Sequence, residues 1–375
     1  MYTKILLLLL LVIKCTRMRL GSTMRSTIHF RTLTCIVNKR NLLLAPVKRT
    51  LHLLGLRILP AENFNFKPST NNQTMTFWSN NPCCPTWTGL LSSWITSHPP
   101  LLLEPHPPIV PLHPIPGCTF GTANATDIAQ LPAFWEKWFS SSSRCCIPEE
   151  RIKRSHDSGN WDIFIVRRST QVIGVLVRRW ITGLHVKGAY MPKAGVIDLF
   201  CVHPAWKKKG VGRSLLFLVQ NSTPRPIPPH LMLWESYLPS IPPAVAGTYW
   251  RKECRVGKRP ALSAEEERLA WNQLKEGHTL WSEYKKTEDI HIFALGSGYC
   301  SIWNTWHRRI PQGDTIGIVL ACSSDIRELY ECSPFGLLLA DTKYEGWEFN
   351  GPFQWGLYNM NSGYISSRFP LLQLT

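Results

Sequence analysis

Apolar positions recur along this chain in two registers, and the changes of register mark out its elements. From Asp127 to Phe139, Leu131, Phe134, Trp135 and Trp138 fall at helical spacing, which predicts an amphipathic helix broken by Ser140 to Ser143. Asp162 to Arg168 and Gln171 to Arg179 are rich in β-branched and aliphatic residues on either side of Ser169-Thr170, the pattern of two strands joined by a tight turn. Gly195 to His203 reads as the next strand, Arg213 to Gln220 as a helix, and His230 to Glu235 as a further strand. Strand, turn, helix and strand in that order imply a right-handed crossover and parallel pairing, with an opening where the two strands diverge. A second set begins with a charged helix, Ser263 to Glu276, whose Ser263-x-x-Glu266 forms a capping box. Strands at Ile290 to Leu295, Cys300 to Trp306 and Thr315 to Cys322 follow, then a helix from Asp325 to about Tyr330, another helix and two terminal strands. The expected fold class is α/β (α+β): a mixed twisted sheet flanked by helices, with a second half that repeats the first in reduced form.

Two segments fall outside this periodicity. Residues 82 to 117 hold ten prolines, which exclude a regular helix or a central strand and predict an extended surface arm. Ile5 to Ile13 is an apolar run flanked by Lys4 and Lys14, too short for the ~20 residues a membrane-spanning helix needs. It fits a secretory apolar region, an Arg-rich organelle transit peptide, or an over-extended start ahead of Met75. The expected organisation is a basic leader at 1–74, a Pro-rich arm at 75–117, a first half at 118–258 and a second at 259–375.

Charge changes less than it first suggests. The net charge is +17, but residues 1 to 60 hold eleven Lys and Arg and no acid, leaving thirty-one bases against twenty-five acids in the rest. A nucleic-acid face needs clustered bases interleaved with aromatics, and outside the leader bases gather only in short groups such as Lys207 to Lys209 and Arg178-Arg179, so no nucleic-acid partner is expected. The 44% hydrophobic content and sixteen tryptophans describe a globular chain with a large core. The twelve cysteines are scattered and lack metal or redox spacing; reduced thiols, a cytoplasmic location and no metal are the expectation, with organelle targeting by the leader as the variant.

Chemistry concentrates in Val196-Ile-Asp-Leu-Phe-Cys-Val-His-Pro-Ala-Trp-Lys-Lys-Lys-Gly-Val-Gly-Arg213. An apolar strand runs into a basic turn that opens a helix, and Gly210 and Gly212 let phosphates approach the outward-pointing N–H groups of the helix start. Neither G-x-x-x-x-G-K-[ST] nor G-x-G-x-x-G is present, which leaves coenzyme A as the favoured guest. The turn resembles the [RQ]-x-x-G-x-[GA] signature of the GCN5-related N-acyltransferases, with Lys207 in first place. Ile197 to His203 further resembles the Glu-Ile-Asn-Phe-Leu-Cys-Val-His segment of the glycylpeptide N-tetradecanoyltransferases (N-myristoyltransferases), a duplicated branch of that superfamily. Phe77-Trp-Ser-Asn-Asn-Pro82, His113-Pro-Ile-Pro-Gly-Cys-Thr-Phe120, Tyr237-Leu-Pro-Ser-Ile-Pro-Pro-Ala-Val245, Thr248-Tyr-Trp-Arg-Lys252 and Phe353-Gln-Trp-Gly-Leu-Tyr-Asn-Met360 are similar to segments of that family in the same order, so the resemblance spans residues 77 to 375. Departures are Val196 for Glu, Asp198 for Asn, the retained glycines of the turn, a reduced glycine-rich second signature at Phe349 to Phe353, and a short second half.

The resemblance implies transfer of an acyl group, myristoyl first, from acyl-CoA to an N-terminal glycine amine by direct attack on the thioester. Acyl-CoA is then a co-substrate, with no permanent cofactor, and the chain acts as a monomer with no stable membrane span. It implies coenzyme contacts from Phe77, Trp78, Phe200, Cys201, Val202, Lys207, Lys208, Lys209, Gly210, Val211, Gly212 and Arg213. The oxyanion donors would be the main-chain amides of Leu199 and Phe200, and the base the carboxylate of the terminal residue, Thr375. Tyr249 would give a proton to the departing thiolate, and Trp303 and Asn304 would meet the acceptor. Asp198, where the family has Asn, stands in a strand beside the thioester and is read three ways: it binds the incoming ammonium, takes its proton, or faces outward. Two alternatives stay open: an acetyltransferase of the same superfamily using acetyl-CoA, and a noncatalytic binder of acyl-CoA or peptide. Cys201 and His203 equally suit plain structural roles, as a small core residue and a turn-ordering side chain.

Overall fold

Two runs of strands, each interrupted by a crossover, organise the chain. The computed structural model describes residues 101–102, 114–140, 142–223, 228–235, 244–361, 365–366 and 368–374. The first run comprises β1 (Leu101–Leu102), β2 (Cys118–Thr122), α1 (Ala125–Trp138), β3 (Ser143–Cys145), α2 (Glu149–Asp157), β4 (Trp161–Arg168), β5 (Gln171–Val186), β6 (Ala189–Val202), α3 (Val211–Asn221), β7 (His230–Trp234) and β8 (Val245–Glu253). The second comprises α4 (Ala264–Leu274), β9 (Leu280–Ser282), β10 (Ile290–Leu295), β11 (Gly298–Arg309), β12 (Thr315–Cys322), α5 (Glu328–Glu331), β13 (Leu337–Ala340), β14 (Glu348–Tyr358) and β15 (Met360–Asn361).

Local signals explain most boundaries. α1 starts before Asp127 because Asn124 caps it: the Asn124 side chain accepts from Asp127 N at 3.0 Å and Asp127 accepts from Asn124 N at 2.8 Å. The capping box expected at Ser263 and Glu266 opens α4. Ser169 adopts a left-handed φ of 54° in the two-residue turn between β4 and β5. The strand pair β5 and β6 is longer than its pattern predicts, reaching a second tight turn at Lys187-Gly188, where both residues have positive φ. The helix expected from Asp325 shrinks to four residues, and the next described elements are strands, not another helix. α2 has no counterpart in the sequence reading, since Ile152 is its one aliphatic residue.

Among the described residues, thirteen strands form one sheet in the order β10-β11-β12-β13-β8-β14-β7-β6-β5-β4-β2, with β3 added on β11 and β9 on β5. Neighbours are antiparallel except for β6 with β7 and β12 with β13, the two crossovers. α3 covers one face over Phe164, Val166, Ile173 and Leu176. On the other face, α1 covers Val175, Val177, Leu199 and Cys201, and the tail residues Phe369, Leu371, Leu372 and Leu374 cover Ile181, Leu231, Tyr249 and Phe353. Burying each of those tail leucines is worth roughly 1.5–3 kcal/mol, which fixes the chain end against the sheet. Strand side chains alternate, so Val175, Val177, Arg179 and Ile181 share that face, and Arg179 falls at the seam between its two apolar clusters.

Candidate active site

The opening lies on β6. Val177 pairs with Asp198 and Val175 with Cys201, so Leu199 and Phe200 together oppose Leu176 as a β-bulge. Leu199 takes a φ of 49°, a conformation that leucine adopts only when its surroundings impose it. The clamp is visible on both sides of the residue. Leu199 N donates to Asp198 Oδ1 at 2.7 Å, and Trp135 Nε1 of α1 donates to Leu199 O at 3.2 Å, with the Leu199 side chain buried under α1. On the other edge of β6, pairing with β7 ends at Ile197↔Met232. Beyond that rung β7 pairs with β14 through Trp234↔Gln354, and the main chain of the bulge has no rung on its β7 side.

The turn after β6 brings a helix N-terminus to the same place. His203 orders it by accepting from Ala205 N at 3.2 Å, a short 3₁₀ turn covers Pro204–Trp206, and Lys208 and Gly210 take φ of 62° and 88°. Gly210 caps α3 without a side-chain hydrogen bond, so the first N–H groups, those of Val211, Gly212 and Arg213, point outward at the positive end of the dipole. Two glycines permit the close fit. A Cβ on Gly212 would lie 3.1 Å from Phe200 Cζ, and one on Gly174 would lie 2.5 Å from Val211 Cγ1. Lys207, Lys208 and Lys209 are exposed beside this start, and Arg168 and Lys209 lie 5.3 and 5.0 Å from the Trp206 ring.

Behind the bulge stands a buried ion cluster. Arg179 Nη1 lies 2.5 Å from Asp289 Oδ2, and its Nη2 lies 3.0 Å from Asp198 Oδ2 without the alignment of a hydrogen bond. Asp289 also accepts from Arg151 Nη2 at 3.2 Å and from Trp306 Nε1 at 2.7 Å, while Trp161 carries both guanidinium groups on its ring. Asp289 and Arg179 are essentially solvent-free, so their mutual pairing is what offsets their desolvation, although Arg179 Nε has no hydrogen-bond partner among the described residues. The tail is tied to the cluster: Thr287 Oγ1 donates to Leu374 O at 2.9 Å and accepts from Asp289 N at 3.1 Å.

The residues singled out from the sequence distribute unevenly. Asp198, Leu199, Phe200, Cys201 and Val202 lie on or beside the bulge, and Lys207 to Arg213 form the turn and the start of α3. Burial pushes the Cys201 thiol up to about 12, so it stays protonated within the α1 cluster. Tyr249 sits on strand β8; it is buried against Phe353 and Phe369, its hydroxyl has no hydrogen-bond partner among the described residues, and burial pushes that hydroxyl well above 10. Trp303 is a core residue paired with Ile290 and Ile318. Asn304 is used locally: its N–H donates to Asp289 O at 2.7 Å, and its Oδ1 accepts from Trp306 N at 2.9 Å. Phe77, Trp78 and Thr375 lie outside the described residues. Arg151, Arg179 and Asp289 escaped the sequence reading as site residues. The one signal available was a pair of arginines within the apolar run Val172 to Ile181.

No protein-family model matches the sequence, and no curated protein matches it either. Among solved structures the chain is similar to Saccharomyces cerevisiae N-myristoyltransferase with bound myristoyl-CoA. One such structure has a TM-score of 0.57 at 11% identity, covering 78% of this chain and 94% of that one. A second has a TM-score of 0.56 at 11% identity, covering 86% and 94%. The mixed sheet flanked by helices is thus the N-myristoyltransferase fold.

Proposed function

We propose that this protein is an N-acyltransferase that moves a long acyl group, myristoyl before others, from acyl-CoA to the amine of an N-terminal glycine. The observation that carries the reading is the bulge of β6, parted from β7 and facing the uncapped, lysine-flanked start of α3. The pyrophosphate is held at Lys207 to Gly212 and the first N–H groups of α3. The thioester carbonyl lies against the main chain of Leu199 and Phe200, where donors aimed at the developing oxyanion are worth ~10²–10³ in rate. The bound myristoyl-CoA of the similar yeast enzyme supports the long acyl group.

Asp198 gives this site a feature of its own. Its carboxylate holds Leu199 N–H at 2.7 Å, so that amide reaches the thioester oxygen only when Asp198 turns away. An incoming ammonium offers the carboxylate a charged partner and frees the amide, which makes the oxyanion site complete only once the acceptor is bound.

The test is turnover by the full chain with myristoyl-CoA and acetyl-CoA offered separately, against peptides starting in glycine and the same peptides N-acetylated. Transfer of myristoyl to the free glycine peptides alone is the expected result. Acetyl transfer instead establishes the acetyltransferase reading. Binding of either coenzyme without turnover establishes a noncatalytic binder, the reading that the closed Leu199 amide favours.

A further inference from the structure

The far side of the opening carries a second carboxylate. Past its last rung with β6 at Met232, β7 continues through Leu233 and Trp234 and delivers Glu235 at its C-terminal end. Alternation along β7 puts Leu231 and Leu233 on one face, and Glu235, the first residue past the strand, acts by its charge on Tyr249, which packs with them. Leu231 lies in the cluster that holds Val196, Tyr249 and Phe353, and Leu233 packs against it. On β6 the same alternation, counted from Val196, sets Asp198 on that face too. One carboxylate therefore stands at each of the two parting strands, at the end where an open α/β sheet receives its ligand.

The two carboxylates are not equivalent. Asp198 is committed to Leu199 N–H and sits beside Arg179. Among the described residues Glu235 has no ion pair and no hydrogen bond, and it is open to solvent although protein crowds around it. That crowding, with the charge of Asp198 second, pushes the Glu235 carboxyl above the ordinary carboxylate range. Tyr249 of β8 faces the same region: after burial, the charges of Glu235 and Asp341 push up its hydroxyl. Among the described residues that hydroxyl is buried and has no hydrogen-bond partner.

We infer that Glu235 is the general base of the acyl transfer, taking a proton from an acceptor ammonium that Asp198 holds across the opening. The inference rests on the reading above and adds the group that makes the amine nucleophilic. The ammonium loses one proton to the Glu235 carboxylate, and its nitrogen lone pair then forms the bond to the thioester carbon. As the tetrahedral intermediate collapses, the carbon–sulfur bond breaks, the sulfur keeps the electron pair, and the second nitrogen proton passes to the thiolate to give coenzyme A thiol. Glu235 returns its proton to solvent. The two opposed carboxylates select a free, positively charged amine over an amide or an alcohol.

The resemblance instead gives this role to the carboxylate of Thr375, so the experiment separates the two. Acyl transfer from myristoyl-CoA to a glycine peptide is followed from pH 4.5 to 9 for the full chain, for Glu235→Gln, and for a chain lengthened by one glycine after Thr375. Myristoyl-CoA binding is read for each by the shift in melting temperature. A base with a raised pKa accepts protons only above it, so the wild-type rate climbs with pH through a limb that Glu235→Gln abolishes. The expected result is a ~10²-fold or greater fall in the rate for Glu235→Gln with an unchanged myristoyl-CoA shift, while the lengthened chain keeps its rate. Retention of both rate and acid limb by Glu235→Gln overturns the inference alone. Loss of rate in the lengthened chain, with Glu235→Gln intact, assigns the base to the terminus. Absence of any melting shift in the wild type removes the coenzyme site itself, and this inference with it.

Discussion

The crossovers β6–α3–β7 and β12–α5–β13 use one backbone device twice. Each upstream strand makes three parallel rungs, Gly195 to Ile197 in one and Ile316 to Ile318 in the other, and each then bulges against its antiparallel neighbour, at Leu199-Phe200 and at Leu320. The sequences align through this stretch: Val196-Ile-Asp-Leu-Phe-Cys201 with Gly317-Ile-Val-Leu-Ala-Cys322. Their furnishing differs. Buried Val319 stands where the first crossover has Asp198, Ala321 where it has Phe200, and a four-residue helix follows where α3 has eleven residues and a lysine turn. Positive φ marks Leu199 and not Leu320. The fold therefore supplies two bulged crossovers, and charge with an open helix start makes a candidate site of one.

The largest expected effect tests whether buried charge is peculiar to the first. Asp289→Asn leaves Arg151 and Arg179 without their shared counter-charge in a solvent-free place, a loss of about 3–5 kcal/mol in urea unfolding. Beside the second crossover Arg309 pairs with Asp314 and Glu253, but these groups keep contact with water, and Asp314→Asn is expected to cost about 1 kcal/mol. Equal losses would break the contrast.

Acid sensitivity sharpens it next. His230, at the first rung of β7, is buried: desolvation, helped by the charge of Arg178, holds its imidazole down to about 3 against a bond from its Nδ1 to Pro228 O. The folded state binds this proton less readily than the unfolded chain does. Stability is therefore full above the unfolded value near 6.5 and falls as pH drops toward about 3, by at most about 1.4 kcal/mol per pH unit. His230→Gln should flatten the dependence of the urea midpoint between pH 6.5 and 4. An unchanged slope would move the acid sensitivity elsewhere, to His278 in the second half, whose imidazole desolvation, with the charge of Arg368 second, holds down to about 4.

Paired glycines give a matched comparison. A Cβ on Gly174 would lie 2.5 Å from Val211 Cγ1, and one on Gly317 would lie 2.7 Å from Ile302 Cγ2 and 2.8 Å from Phe335 Cγ. Alanine at either position overpacks its half by about 1–3 kcal/mol. Only Gly174→Ala tilts the start of α3, the proposed phosphate site, so on that proposal it alone should weaken coenzyme A binding, by about tenfold in calorimetric titration.

What the sequence made legible was local. The Ser263 and Glu266 capping box, the Ser169 turn, and the strands Ile290–Leu295 and Thr315–Cys322 are set by residues within one element, and they stand where the pattern puts them. The lysine turn and its helix were legible for the same reason. The ion cluster was not: Arg179 meets Asp289 110 residues further along, and Arg151 rides on a helix whose polar composition hides it. Leu199's left-handed backbone belongs to a register between strands, which no window of sequence contains. Glu235 read as the last residue of a strand, and only the parting of β6 from β7 gives it an opening to face.

The smallest effect concerns the two capping boxes, which look alike in sequence and differ in what lies behind them. Ser263 and Glu266 cap α4 on the exposed surface, whereas Asn124 caps α1 with Asp127, a buried carboxylate that also pairs with Arg167 of β4. Burial works to raise Asp127, but the hydrogen bonds from Arg167 and Asn124 N, together with the Arg167 charge, hold it below its ordinary value. Its contribution is therefore present above the unfolded carboxylate pKa and lost as pH falls through the folded one. Ser263→Ala and Asn124→Ala should each cost about 1 kcal/mol at pH 7, since each removes one cap. α1 also holds the bulge through Trp135, but a cap acts within the first turn and Trp135 lies well beyond it. Both variants should accordingly keep the wild-type rate of the proposed acyl transfer while melting earlier. A fall in rate confined to Asn124→Ala would mean that the start of α1 sets the geometry of Leu199, and would make the first crossover differ from the second along a whole helix.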